Sequence, residues 1–176
     1  MKVAISIVIL CWVFGSNNSF CYWNDYVEWS EQRKLQWIDF QGIPDSASRF
    51  SASCVVSIRL DYKLGKRKIR QLKVTSRFSK RNSWHMDTTV YGLNHEQRHF
   101  DLAEIYARRL KAALIEKKNS IGANNQQEII SLYNSYRQML IDDQDRYDTE
   151  TNGGLNMYRQ QDWNENIDKE LDKLKM

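Results

Sequence analysis

Leu93-Asn94-His95-Glu96-Gln97-Arg98-His99-Phe100-Asp101-Leu102-Ala103-Glu104-Ile105-Tyr106-Ala107-Arg108-Arg109-Leu110 is the stretch on which the fold turns. Phe100, Ala103, Ala107, Leu110 and Leu114 recur every three or four residues among good helix formers, so the spacing predicts a helix over residues 93–118. On that helix His95 and His99 stand one turn apart on one face, with Glu96 beside them. Two neutral imidazoles so placed can share one Zn²⁺ at about 2.0–2.1 Å, while a third protein ligand leaves one position for water and a neighbouring carboxylate accepts a proton. His95 and His99 are therefore candidate zinc ligands, and Glu96 is a candidate general base for amide or ester hydrolysis. The competing reading of the same letters is a solvated helix start with two incidental histidines.

Outward from this helix, the chain is strand-rich before it and helix-rich after it. Residues 50–62 and 68–78 alternate apolar and polar positions, with Val56, Ile58, Leu60 and Tyr62 answered by Ile69, Leu72 and Val74. Leu64-Gly65-Lys66 is the turn signal between them, so an antiparallel hairpin is expected, extended by strands near residues 35–40 and 83–90. Beyond the long helix, residues 119–125 read as a break and 126–141 as a second helix. Residues 142–154, polar and ending in Gly153-Gly154, read as a loop, and 155–174 as a third helix. The fold class is α+β: a small antiparallel sheet packed against the long H-E-x-x-H helix and two further helices.

The 176 residues are 41% hydrophobic and 27% charged with one Pro and seven Gly, which excludes collagenous and low-complexity classes and predicts one folded domain. The formal charge of +4 is spread along the chain and gives no argument for a nucleic-acid ligand. An apolar run at residues 3–14 after Lys2 reads as a signal peptide over 1–15, too short to span a membrane, and no later stretch spans one. Residues 16–34 then form an N-terminal extension and 35–176 the domain, of an exported protein, periplasmic or extracellular. Export would leave Cys21 and Cys54 either disulfide-bonded or with Cys54 as a buried free thiol. No phosphate-binding glycine loop, serine nucleophile motif or metal-binding cysteine cluster is present in the sequence.

The pattern H-E-Q-x-H-F-D-x-A-E-x-Y-A-R-x-L at residues 95–110 resembles domain of unknown function 922, exported bacterial proteins regarded as zinc-dependent proteases. Trp37-Ile38-Asp39-Phe40-Gln41-Gly42, Ser83-Trp84, Tyr147-Asp148-Thr149-Glu150-Thr151, Trp163 and Ile167 extend the resemblance over roughly residues 35–171. It implies a zincin-like domain, a zinc cofactor and a peptide or protein substrate. It also implies a third histidine two residues after the Thr151 position, where this chain has Gly153. The third ligand is thus open among Asp148, Glu150, Glu128, His85 and water. Restoring it as Gly153→His is expected to raise zinc affinity. If nothing replaces it, the alternative is an inactive exported domain serving as a binding or structural module.

Several other residues carry two readings each. Asp101 and Glu104 either orient the ligating imidazoles by hydrogen bonds or, because helix geometry turns both away from the histidine face, meet solvent or an Arg108 pair. Tyr147 either packs or donates to an oxyanion, and Trp37, Trp84 and Trp163 read as core anchors. The basic residues 63–73 either attract anions or form the wet face of the sheet.

Overall fold

Alternation along the predicted hairpin has a structural counterpart in a computed structural model that describes residues 25–48 and 50–175. Strand β3 (Val56–Leu64) pairs antiparallel with β4 (Ile69–Ser79), matching Val56 to Phe78, Leu60 to Val74 and Tyr62 to Leu72. These pairs and Ile58 point inward, while Ser57, Arg59, Asp61 and Lys63 line the wet face. A short β1 (Tyr26–Glu28) adds to the other side of β4, giving the order β1-β4-β3. Part of the segment expected to be an extension therefore belongs to the sheet. The expected signal peptide, and Cys21, lie outside the described residues.

Helix α1 (Val90–Glu116) crosses the inner face of this sheet, its first turn capped by Thr89, whose hydroxyl accepts from Gly92 N at 3.0 Å. Phe100, Leu102, Ala103, Ile105, Tyr106, Ala107, Leu110 and Leu114 are all buried, which covers most of the helix circumference. A helix buried over most of its circumference needs cover on more than one side. The sheet supplies one wall, and helices α2 (Gln126–Thr151) and α3 (Met157–Lys173) supply the other through Ile129, Leu140, Tyr147, Ile167 and Leu171. Each such apolar side chain contributes about 1.5–3 kcal/mol by leaving water. No helix among the described residues is long and apolar enough to cross a membrane.

The structure corrects the sequence expectations at three places. Residues 35–40 are not a strand: Trp37–Asp39 form a 3₁₀ turn, pinned because Arg33 donates to both Asp39 oxygens at 2.8 and 2.6 Å and Gln36 N donates to Asp39 at 2.9 Å. The strand expected near 83–90 shrinks to β5 (Trp84–His85), paired with β2 (Ala52–Ser53) in a separate two-stranded sheet. The predicted loop at 142–154 is mostly helix, since α2 runs unbroken to Thr151. Its inward positions there carry Tyr147, Asp148 and Thr151, so no apolar stripe announces the helix. Of the three tryptophans, Trp163 is buried, whereas Trp37 and Trp84 are only half-buried.

Asn152, Gly153 and Gly154 then all take positive φ, at 51°, 60° and 87°. Three consecutive left-handed residues reverse the chain within one turn, which two glycines make inexpensive. This turn sets α3 against the start of α1.

Candidate metal centre

His95 and His99 project from the second and third turns of α1 toward α2, where Asp148 sits one turn before the helix end. Asp148 Oδ1 lies 3.2 Å from His95 Nε2 and 2.9 Å from His99 Nε2. The three ligand atoms fall within 4.8 Å of one another, forming a group able to hold a metal ion. Ligands at about 2.0–2.1 Å on a tetrahedral ion stand about 3.3 Å apart, so both Asp148 separations suit one ion with little adjustment. Both histidines are buried, at 5% and 6% exposure. Asp148 is half-buried and marks the side from which solvent reaches the group.

Gln160 of α3, 1% exposed, fixes the first imidazole. Its Nε2 donates to Tyr147 Oη at 2.6 Å and to Asn164 Oδ1 at 2.9 Å, so its Oε1 is what faces His95 Nδ1 at 2.9 Å. His95 must then carry a proton on Nδ1, so that in the neutral ring Nε2, the atom facing Asp148, is the one with the lone pair. Tyr147, with no exposure, forms the floor: its ring stacks on His95 at 4.7 Å and meets His99 edge-on at 4.9 Å, and its hydroxyl donates to His95 O at 3.2 Å. That hydroxyl is committed to packing and is not a free oxyanion donor. The turn after α2 closes over the same ring. A Cβ on Gly154 would stand 3.2 Å from His95 Cγ, and Tyr91 Oη donates to Gly154 O at 2.6 Å.

Charge within the group is unbalanced. Burial works against ionisation of Asp148, but His99 and His95 outweigh it and hold the carboxyl well below the usual range. Burial likewise disfavours the His99 imidazolium, yet Asp148 and Glu96 keep its pKa above the ordinary value. His99 Nδ1 is buried with no hydrogen-bond partner among the described residues. Glu96 is 6% exposed, and burial raises its carboxyl above the ordinary value despite the two histidines. No described donor bonds that carboxylate, so it has free lone pairs within the field of the two imidazoles.

The remaining candidates lie elsewhere. His85 stacks on Trp37 at 4.7 Å, with its Nδ1 2.6 Å from Asp87 O. Glu150 accepts from Trp163 Nε1 at 3.0 Å and pairs with Arg159. Glu128 pairs with Lys117 at 2.6 Å near the start of α2. Glu104 accepts from Arg108 at 2.8 Å and Ser76 at 2.7 Å, the arginine pairing expected of it, whereas Asp101 is fully buried and not on a solvent face. Cys54 is a free thiol whose ionisation burial strongly disfavours, with Glu96, Asp148 and Asp101 adding to the effect. A Cβ on Gly153 would meet the Phe50 ring at 3.1 Å, whereas one on Gly154 would meet the His95 ring. Gln160 was invisible in the sequence, because a single glutamine on an amphipathic helix carries no distinguishing spacing.

Comparison of the chain with protein-family models, with curated proteins and with solved structures gives no match.

Proposed function

We propose that the protein is a zinc-dependent hydrolase acting on peptide bonds, with His95 Nε2, His99 Nε2 and Asp148 Oδ1 as the metal ligands and Glu96 as general base. The observation that carries this reading is the convergence of three acceptor atoms on one point, with Gln160 holding the His95 lone pair toward it. A metal bound there supplies Lewis acidity, which acidifies water and polarises a carbonyl. Two imidazoles and one carboxylate suit zinc, which takes nitrogen and oxygen ligands and keeps a fourth position open in catalytic sites.

The chain's own residues do the rest. Asp148 and the histidines bring a formal charge of minus one to a divalent ion, and burial of the two imidazoles keeps competing water from their lone pairs. Glu96, raised by burial and free of donors, is poised to take a proton from attacking water and return it to a leaving amine. Tyr147 and Gly154 hold the His95 ring from two sides, which keeps the ligand geometry through turnover. The resemblance of residues 35–171 to domain of unknown function 922 supports the same chemistry, a zincin-like arrangement and export, with Asp148 in place of the missing histidine.

Metal analysis after zinc loading and dialysis tests the ligand set, and cleavage of an unfolded protein such as reduced casein tests the chemistry. One equivalent of zinc is expected, falling well below that in His95→Ala and Asp148→Ala. Glu96→Gln should keep the zinc and lose at least a hundredfold in rate. Zinc retention without cleavage in the unaltered protein would leave only the binding-module reading. Absence of zinc retention would remove the hydrolase reading and leave the inactive-module alternative.

A further inference from the structure

The end of the molecule opposite the metal centre carries a concentration of positive charge that the proposed hydrolysis does not use. Residues 63–73 hold six cations and no carboxylate. Lys63, Lys66, Arg67, Lys68 and Arg70 lie at the turn end of the β3–β4 hairpin, and Lys118 follows α1 beside them, its carbonyl accepting from Ile69 N at 2.9 Å. All six are exposed, and among the described residues none has an ion-pair partner, whereas neighbouring Lys73 and Lys117 pair with Glu28 and Glu128. Six like charges held together, with only Glu116 nearby and no ion pair formed among the described residues, repel one another in the free protein, which points to a partner that supplies counter-charges.

The turn is held rigidly. Gly65 N donates to Lys68 O at 2.8 Å, and Ala123 N donates to Gly65 O at 3.1 Å. Gly122 is required for that second contact, because a Cβ there would stand 2.3 Å from Lys66 O. The cations are therefore displayed from a fixed platform built by the hairpin turn and the α1–α2 connection, and little backbone order is lost on binding.

We infer that this basic end docks on an anionic membrane surface, through the phosphate headgroups of acidic lipids. The charge complementarity is purely electrostatic: residues 63–73 contain no aromatic side chain on which bases could stack, which disfavours a single-stranded nucleic acid. A chain end studded with cations meets a plane of headgroups with all of them at once, at about 1 kcal/mol per Lys or Arg. Glu116 lies twenty-one residues along α1 from His95, roughly 30 Å at 1.5 Å per residue, so docking leaves the metal centre facing away from the bilayer.

Cosedimentation of the purified protein with vesicles tests this. Vesicles of mixed phosphatidylglycerol and phosphatidylcholine should bind it, pure phosphatidylcholine should not, and added salt should release it. The triple variant Lys66→Gln, Arg67→Gln, Lys68→Gln should bind about a hundredfold more weakly, at about fivefold per residue. Lys169→Gln with Lys173→Gln and Lys175→Gln, the same charge removed elsewhere, should bind as the unaltered protein does. Lys63→Gln with Lys118→Gln provides a second test should the triple variant lose its circular dichroism spectrum. His95→Ala should bind vesicles unchanged, so a failed metal assignment would not affect this one. Failure to bind acidic vesicles, equal loss in the α3-end variant, or tighter binding to duplex DNA at the same salt would overturn it.

Discussion

Two carboxylate clusters meet helix α1 within two turns of each other, one around its own buried Asp101 and one where the half-buried Asp148 of α2 faces His95 and His99. Asp101, with no exposure, is surrounded by donors: Trp29 Nε1 at 2.7 Å and Gln97 Nε2 at 2.8 Å on one oxygen, Arg98 Nη1 at 3.1 Å on the other, and Lys34 at 3.7 Å. Asp148 faces two imidazole nitrogens, one of which Gln160 has turned into an acceptor. The first cluster is complete and fastens the N-terminal segment to α1. The second lacks a cation, which a metal ion can supply. Burial of a carboxylate alone therefore does not mark a functional site; the balance of donors against acceptors around it does.

Removing each carboxylate should make the contrast largest. Asp101→Ala leaves the half-buried Trp29 indole and the buried Gln97 amide without their acceptor, while Arg98 keeps its pair with Asp168, so urea unfolding should show a loss of about 2–3 kcal/mol. Asp148→Ala in metal-free protein should cost far less, because its partners are histidines that can shed their protons. Equal losses would mean that the Asp148 cluster is as structural as the other. Zinc should then separate them further. At a thousandfold excess over Kd it should stabilise the unaltered protein by about 4 kcal/mol, and it should leave Asp148→Ala unmoved in the same thermal scan.

Gln160 sharpens the comparison, since it makes the second cluster incomplete. Gln160→Leu should weaken zinc binding about 10- to 100-fold, whereas Gln160→Glu, which keeps an acceptor toward His95 Nδ1, should retain most of the affinity. Calorimetric titration with zinc distinguishes this from simple loss of packing, which would weaken both variants alike.

Asp39 provides a control of the complete kind. Burial opposes its ionisation, but Arg33 and the Gln36 amide outweigh that and hold its carboxyl below the ordinary value. A depressed pKa contributes stability that is present above the unfolded value, near 4, and disappears as pH falls through the folded value. Asp39→Asn should therefore cost about 1–2 kcal/mol at neutral pH, and the two proteins should converge in stability below pH 4. A gap that persists in acid would assign the effect to shape instead of charge.

The legible parts of this chain were those where apolar spacing repeats. Alternation at Ile58, Leu60 and Tyr62 revealed the hairpin, and the Phe100 to Leu114 period revealed α1. Strand β1 stayed hidden because three residues, Tyr26, Val27 and Glu28, are too few to show a period. The second half of α2 stayed hidden for a different reason: the inward positions that would show its stripe are occupied by Asp148 and Thr151. The candidate site thus erased the signal of the helix that builds it. The His95 and His99 pair was visible because a helix fixes their relation locally. Asp148 was one of several candidates, since which carboxylate meets them depends on how α2 packs some fifty residues later. Gln160 depends in turn on the reversal at residues 152–154 and had no local signature.

The smallest expected effect concerns the position where the resemblance called for a histidine. Gly153 has φ of 60°, and its Cβ direction leads to the Phe50 ring. Gly153→His must therefore accept a left-handed backbone, at about 1 kcal/mol, and push Phe50 aside before its imidazole reaches any ion. With Asp148 already in place, zinc affinity should change less than threefold, against the gain that the sequence alone led us to expect. A rise of tenfold or more in the same titration would show that the turn can invert and that the metal group accepts a fourth protein ligand. The open coordination position on which the proposed hydrolysis depends would then be less secure than the geometry at Gly154 makes it.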